Sequence, residues 1–269
     1  MTNITRRSAF KASLATLATA GLAVNAKAAT TVDAQNSVQT PFALPARTFI
    51  GIEGSKQVFP VRRIYCIGRN YEAHAREMGS DPNREPPFFF QKPTDAIQYV
   101  AKGTVAEHPY PSLTKNYHYE VELVACLKSG GKNIAVEHAL EHVFGYALGL
   151  DMTRRDLQRA LGDQKKPWEI GKSFDHSAPV GPIIPAPQFG AIKDQNISLT
   201  VNGQLKQQAK LNQMTWSVAE QIAQLSQANE LFAGDIIYSG TPENVGPVVK
   251  GDTIVCKLDG LPDLSIKIV

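Results

Sequence analysis

Cysteine is scarce: the 269-residue sequence holds three, Cys66, Cys126 and Cys256. An odd, sparse set with no C-x-x-C excludes a disulfide-stapled mini-protein and argues against a cysteine zinc site. Each cysteine sits in an apolar, strand-like run, so all three are expected to be buried free thiols. A charge excess is missing as well. The formal net charge is +3, but Arg6, Arg7, Lys11 and Lys27 stand in the first 28 residues without one acid. Taking these four from the 28 Lys and Arg leaves 24 against 25 Asp and Glu, a balance of −1. A near-neutral body gives no electrostatic reason for nucleic acid or an anionic membrane as partner. No internal repeat or low-complexity tract occurs, which excludes solenoid and fibrous plans. No run beyond the N-terminus reaches about 18 apolar residues, so the mature form is expected to have no membrane span. What is present is globular: 43% apolar, 20% charged, 20 glycines and 17 prolines, enough chain for one large domain or two small ones.

Residues 1–28 read as an address. Thr5-Arg6-Arg7-Ser8-Ala9-Phe10-Lys11 precedes a mild apolar run from Ala12 to Val24, and Ala26-Lys27-Ala28 is a small-x-small cleavage pattern. Basic, apolar and cleavage parts together are a secretory signal. The arginine pair and the weak hydrophobicity resemble a twin-arginine signal, with Ala9 standing where an aromatic is commoner. The expectation is export by the twin-arginine machinery, as a folded and metal-loaded protein, to a bacterial periplasm. Residues 29–60 are expected to be an N-terminal arm and the first strands, and 61–269 the catalytic domain.

Along the body, short β-branched or apolar runs predict strands at 48–52, 64–67, 88–91, 96–100, 180–184, 197–201, 236–238, 253–258 and 264–269. Residues 118–127 alternate, with His118, Glu120 and Glu122 against Tyr119, Val121 and Leu123, and 144–152 is a further apolar run. Helical patterns cover 70–78, 136–142, 154–161 and 215–225, the last capped by Thr215 or Ser217. Asn202-Gly203 is a two-residue hairpin signal. Strands outnumber helices and do not alternate with them, which argues for an α+β, mostly β domain rather than a Rossmann or barrel plan.

Glu120 and Glu122, two apart in a run of period two, point to one strand face. Their apolar neighbours make that strand a buried one, and two like charges on a buried face need something positive between them. Asp151 follows 29 residues after Glu122, an acid at the end of an apolar run. Three carboxylates form an all-oxygen site of the kind that takes Mg²⁺ or Mn²⁺, or Ca²⁺, and leaves about three positions open to water or substrate. His138-Ala139-Leu140-Glu141-His142 fits the H-x-x-E-H zinc pattern in letters, but the helix is short and needed for packing, so no zinc role is assigned. His118 is a candidate ligand beside Glu120, although a strand-face histidine more often packs or supports the ligands from behind.

Five segments, in this order, carry a resemblance: IYCIGRNYEAHAREM at 64–78, HYEVEL at 118–123, GLDMTRRDLQ at 149–158, GKSFDHSAP at 171–179 and SGTPENVGP at 239–247. Together they resemble the fumarylacetoacetate hydrolase superfamily over roughly residues 60–269, and EMGSDPNREPPFFFQKP resembles its fumarylpyruvate and acylpyruvate hydrolase branch. The resemblance implies a mixed β-roll with short helices, a homodimer, and Mg²⁺ or Mn²⁺ on Glu120, Glu122 and Asp151, the residues that spacing also selects. It implies a His74–Glu77 dyad on a lid helix and a lysine, Lys172, that contacts substrate. It places Arg69, Gln91, Lys92, Arg155, Gln158 and Thr241 around the pocket.

The implied substrates are small oxo acids of the 2,4-diketo type. Cleaving their C–C bond releases a pyruvate enolate, a poor leaving group unless its oxygen is neutralised as charge develops, which a divalent ion can do. Lys172, with Lys92 or Arg155, would balance the carboxylates toward an anionic substrate. His74 and Glu77 are i and i+3 on one helix face, so Glu77 can hold the imidazole while His74 takes a proton from water. The segment after Met78 is suitable for a lid. The expected reaction is hydrolysis of fumarylpyruvate or a related acylpyruvate. Oxaloacetate decarboxylation or keto–enol isomerisation on the same scaffold, and a periplasmic oxo-acid-binding protein, are the alternatives.

Overall fold

The structure, a computed structural model, describes residues 40–81 and 85–269. The expected signal peptide, and residues 29–39 of the expected arm, lie outside the described residues. The chain divides into two units, Met1–Ala46 and Arg47–Val269. Of the first, residues 40–46 are an exposed, irregular segment.

The second unit is built on an eight-stranded mixed sheet. Its centre is Val121–Leu127, antiparallel on one side to Asp235–Tyr238 and on the other to Val143–Leu150. Arg63–Ile67 and Phe89–Lys92 extend it one way, Ala178–Val180 and Ile97–Tyr99 the other, and the eighth strand, Ile184–Pro185, pairs with Val143–Leu150 off this path. The burial expected of the 118–127 run is found: every residue of Val121–Leu127 is buried. The reason is that this strand divides two apolar clusters. Val121, Leu123, Ala125 and Leu127 enter one, and Val124 and Cys126 the other. Each such Val or Leu contributes roughly 1.5–3 kcal/mol of burial. Glu122 therefore shares a face with Val124 and Cys126, inside the protein. All three cysteines are buried and free.

The expected single strand from His118 is two. Tyr117–Tyr119 leaves the large sheet and pairs with Thr153–Arg154 and Gly246–Val248 in a small three-stranded sheet. The chain changes sheets at Glu120, which places that carboxylate at the junction. A five-stranded sheet runs in the order Gln204–Lys210, Asn196–Val201, Thr253–Leu258, Leu264–Ile268 and Val105–His108. Its hairpin turns on Asn202-Gly203, both with positive φ (50° and 77°), as a type I′ turn requires. The Val218–Ala228 helix starts on Ser217, whose side chain forms a capping box with Glu220. The expected 136–142 helix is one α turn, Val136–Ala139, followed by a 3₁₀ turn, Leu140–His142. Gln204–Lys210, the return strand of the Asn202-Gly203 hairpin, has little apolar signal of its own, because only Gln207 and Ala209 of its seven residues are buried. No helix among the described residues is long and apolar enough to cross a membrane.

Candidate metal centre and active site

Glu120, Glu122 and Asp151 meet where the two sheets part. Each is buried, and one oxygen from each lies within 4.8 Å of the others. The strands enforce this. Asp151 N–H donates to Glu120 O (2.9 Å), directly beyond the paired ends of the two central strands, and Gly149 lies opposite Glu122 in the register.

Three buried cations answer two of the three acids. Lys172 Nζ donates to Glu120 Oε2 and to Asp151 Oδ2, both at 2.7 Å, and to Thr153 Oγ1 at 2.7 Å. Arg155 Nη2 donates to Glu120 Oε1, and Arg155 Nη1 donates to Gln158 Oε1 at 2.6 Å. Lys92 Nζ lies 2.8 Å from Asp151 Oδ1. Burial pushes the Glu120 carboxyl up, but Lys172 and Arg155 outweigh it and hold it well below the usual range. Burial pulls the Lys172 ammonium down, and Asp151 and Glu120 outweigh that, so it stays raised. Glu122 differs. It has no ion pair among the described residues, and only Gly240 N–H donates to it, at 2.8 Å to Oε2. Burial, then the charges of Asp151 and Glu120, push its carboxyl well up.

That imbalance is the test of fit for a metal. A buried carboxylate without a cation beside two others is costly. Hard oxygen donors converging within 4.8 Å, one of them a buried acid without a cation of its own, suit a divalent ion. His118 does not join the group. Its Nε2 lies 2.8 Å from Asn116 Oδ1, and burial with the Arg155 charge pulls its imidazole down to about 4. His138, Glu141 and His142 stay apart from the three acids, with His138 on Glu141 (3.0 Å) and His142 against Ser129 (2.9 Å).

The Glu72–Glu77 helix brings His74 over this centre. His74 is 5% exposed, and its Nδ1 lies 3.0 Å from Glu77 Oε2. The same Glu77 oxygen accepts Asn244 N–H at 3.2 Å. The helix entry is held by buried Asn70, whose Nδ2 donates to Ser239 O (2.8 Å) and Trp216 O (2.9 Å).

One cavity joins these parts. Of the expected residues, Arg69, His74, Glu120, Glu122, Asp151, Arg155, Gln158, Lys172 and Thr241 line it. Glu77, Gln91 and Lys92 do not. Glu77 stands behind His74, Lys92 behind Asp151, and Gln91 is exposed, its carbonyl accepting Ser173 Oγ at 2.6 Å. Ile67, Gly68, Met78, Phe90 and Trp168 complete the lining. Nothing in the spacing singles out Trp168, which packs edge-on to Phe88 and Phe90 at centroid distances of 5.3 and 5.9 Å.

Comparison with known proteins decides the family. Residues 63–269 match the family described as fumarylacetoacetate (FAA) hydrolase C-terminal. The chain belongs to this family. A fumarylpyruvate hydrolase of a Ralstonia species is 42% identical over 190 residues, 70% of this chain and 95% of that protein. A mitochondrial oxaloacetate decarboxylase of Dictyostelium discoideum is 37% identical over 209 residues, 77% of this chain and 94% of that one. The crystal structure of a fumarylpyruvate hydrolase from Pseudomonas aeruginosa, in complex with Mn²⁺ and pyruvate, is 54% identical. Its TM-score is 0.85, with 86% of this chain and 99% of that one covered. The mostly β, few-helix architecture expected from the sequence is thus that of a fumarylacetoacetate hydrolase-type fold.

Proposed function

We propose that this protein hydrolyses a C–C bond of a 2,4-diketo acid, fumarylpyruvate or a related acylpyruvate, releasing pyruvate. The observation that carries the reading is one cavity lined by both a buried three-carboxylate group and a histidine held by a glutamate. Glu120, Glu122 and Asp151 would hold Mg²⁺ or Mn²⁺, which when bound supplies Lewis acidity at the oxo-acid oxygens.

The chain's own groups do the rest. Glu77 accepts from Nδ1 of His74, which leaves Nε2 as the base. His74 takes a proton from water, and the hydroxide adds to the acyl carbonyl carbon. The bond from that carbon to the methylene breaks, its electron pair passing to the pyruvate fragment, which takes a proton at carbon to become pyruvate. The acyl group leaves as a carboxylic acid. Lys172, Arg155 and Lys92 neutralise the acids, so that an anionic substrate is not repelled. Met78, Phe90 and Trp168 offer an apolar wall to the acyl chain.

A second reading is decarboxylation of oxaloacetate, favoured by the Dictyostelium relative, or its keto–enol isomerisation, favoured by an oxaloacetate tautomerase of Escherichia coli that is 34% identical over 209 residues. One assay separates them. Protein lacking residues 1–28 is given fumarylpyruvate, acetylpyruvate or oxaloacetate, with Mg²⁺, Mn²⁺ or chelator. Metal-dependent pyruvate release from the diketo acids is expected. Loss of oxaloacetate alone selects the second reading, and silence on all three with metal bound leaves a binding protein. Export to the periplasm and a homodimer belong to the same proposal, checked by cell fractionation and by sedimentation.

A further inference from the structure

Gln207 is wholly buried, yet it lies on the most polar strand of the five-stranded sheet and outside every segment that suggests the site. A β-bulge accounts for its direction. Leu199 pairs with Gln207 but Thr200 pairs with Leu205, so Lys206 is an extra residue. Leu205, which unbroken alternation would bury with Gln207 and Ala209, is 57% exposed. Bulges of this kind re-aim a side chain.

The amide spans two parts of the site. Its Oε1 accepts Val121 N–H at 3.1 Å, between Glu120 and Glu122. Its Nε2 donates to Thr241 Oγ1 (2.9 Å) and to the carbonyls of Pro242 (2.8 Å) and Glu243 (3.3 Å). The loop so gripped begins with Gly240, whose N–H holds Glu122, and ends with Asn244, whose N–H holds Glu77. A side chain that grips the ligand strand with one atom and this loop with the other fixes the acid–base dyad relative to the carboxylates. An amide buried at this depth without partners would be costly, so its bonds are what keep the loop in place.

We infer that Gln207 is a positioning residue that sets the register between the metal-binding strand and the His74–Glu77 dyad. This rests on the reading of that dyad as the acid–base pair. The test uses Gln207→Met, of similar shape without the bonds, and Gln207→Glu, which keeps the acceptor and loses the donor. In the metal-free protein, hydrogen exchange at Asn244 and at Thr241 should quicken at least about tenfold, while the amides of 122–127 keep their protection. In turnover of whichever substrate proves active, kcat should fall about 10–100-fold, with KM and Mn²⁺ affinity within about threefold. Combined with Glu77→Gln, Gln207→Met should add less than about twofold.

Exchange that quickens equally through loop and strand, or effects of the two variants that multiply in full, would overturn the inference and make Gln207 a packing residue. If Gln207→Met does not fold, Gln207→Glu carries the same comparisons. The exchange result stands even where the wild type hydrolyses no diketo acid, so it separates failure of this inference from failure of the proposed reaction.

Discussion

The carboxylate centre and the histidine dyad face one cavity but are held in different ways. The carboxylates stand at the ends of central strands, inside two apolar clusters, with three buried cations fixing two of the three acids. The dyad rides on a six-residue helix with no side-chain cap at its start, tied by Asn70 at one end and by one amide on Glu77. The difference teaches a division of labour. In the proposed reaction the sheet supplies a rigid place for charge, and a short, lightly held helix supplies the group that meets the substrate. Lids are drawn from such weakly held elements.

The largest effect should come from breaking the rigid side. Asp151→Asn is expected to weaken Mn²⁺ binding at least about 100-fold and to abolish metal-dependent turnover, read by titration of bound Mn²⁺. Retained affinity would mean that Asp151 is not a ligand. Lys172→Met leaves Glu120 and Asp151 short of a buried cation, a loss of about 3–5 kcal/mol in metal-free stability. Saturating Mn²⁺ should return part of it, since the ion brings back positive charge; denaturant unfolding with and without the ion would show this.

Gly240→Ala probes the seam between the two regions. The residue has φ +94° and an added Cβ would lie 2.5 Å from Asn70 Cβ. About 1–3 kcal/mol of stability should be lost, and the dyad should suffer with it because Asn70 anchors the helix. An unchanged midpoint would contradict that packing.

The smallest effect concerns the footing of the rigid side. His108 lies 2.6 Å from Tyr117 Oη and 2.6 Å from Gln98 Oε1. Burial, then the His176 charge, pull its imidazole down to about 3. Between that value and about 6.5 only the unfolded chain binds this proton, so the folded state loses stability as pH falls through that window. At pH 5 the loss is about 2 kcal/mol relative to neutral pH. His108→Gln should flatten this slope in unfolding measured from pH 7 to 5, and an equal slope in both proteins would remove His108 as its source.

The carboxylate centre was legible in the sequence because period two and acids inside apolar runs are physical signals. Glu120, Glu122 and Asp151 needed no family likeness to be selected together. The dyad was legible only through that likeness, since a His and a Glu three apart on a short helix look like any exposed pair. The strand break at Glu120 was hidden because residues on both sides of it are buried, and alternation fails where both faces are covered. Gln207 was hidden by its bulge, because one extra residue, Lys206, turns the face of a polar strand inward. The cation network was foreseen as charge balance, but Lys92 and Lys172 proved to spend their ammonium groups on carboxylates and carbonyls.

The measurement that tests the division of labour most directly is Mn²⁺ binding and turnover of His74→Gln, side by side. Mn²⁺ affinity within about threefold of wild type, with kcat for pyruvate release lowered about 10²–10⁴-fold, is the predicted result. Turnover that survives the substitution, or Mn²⁺ affinity that falls with it, would contradict the account.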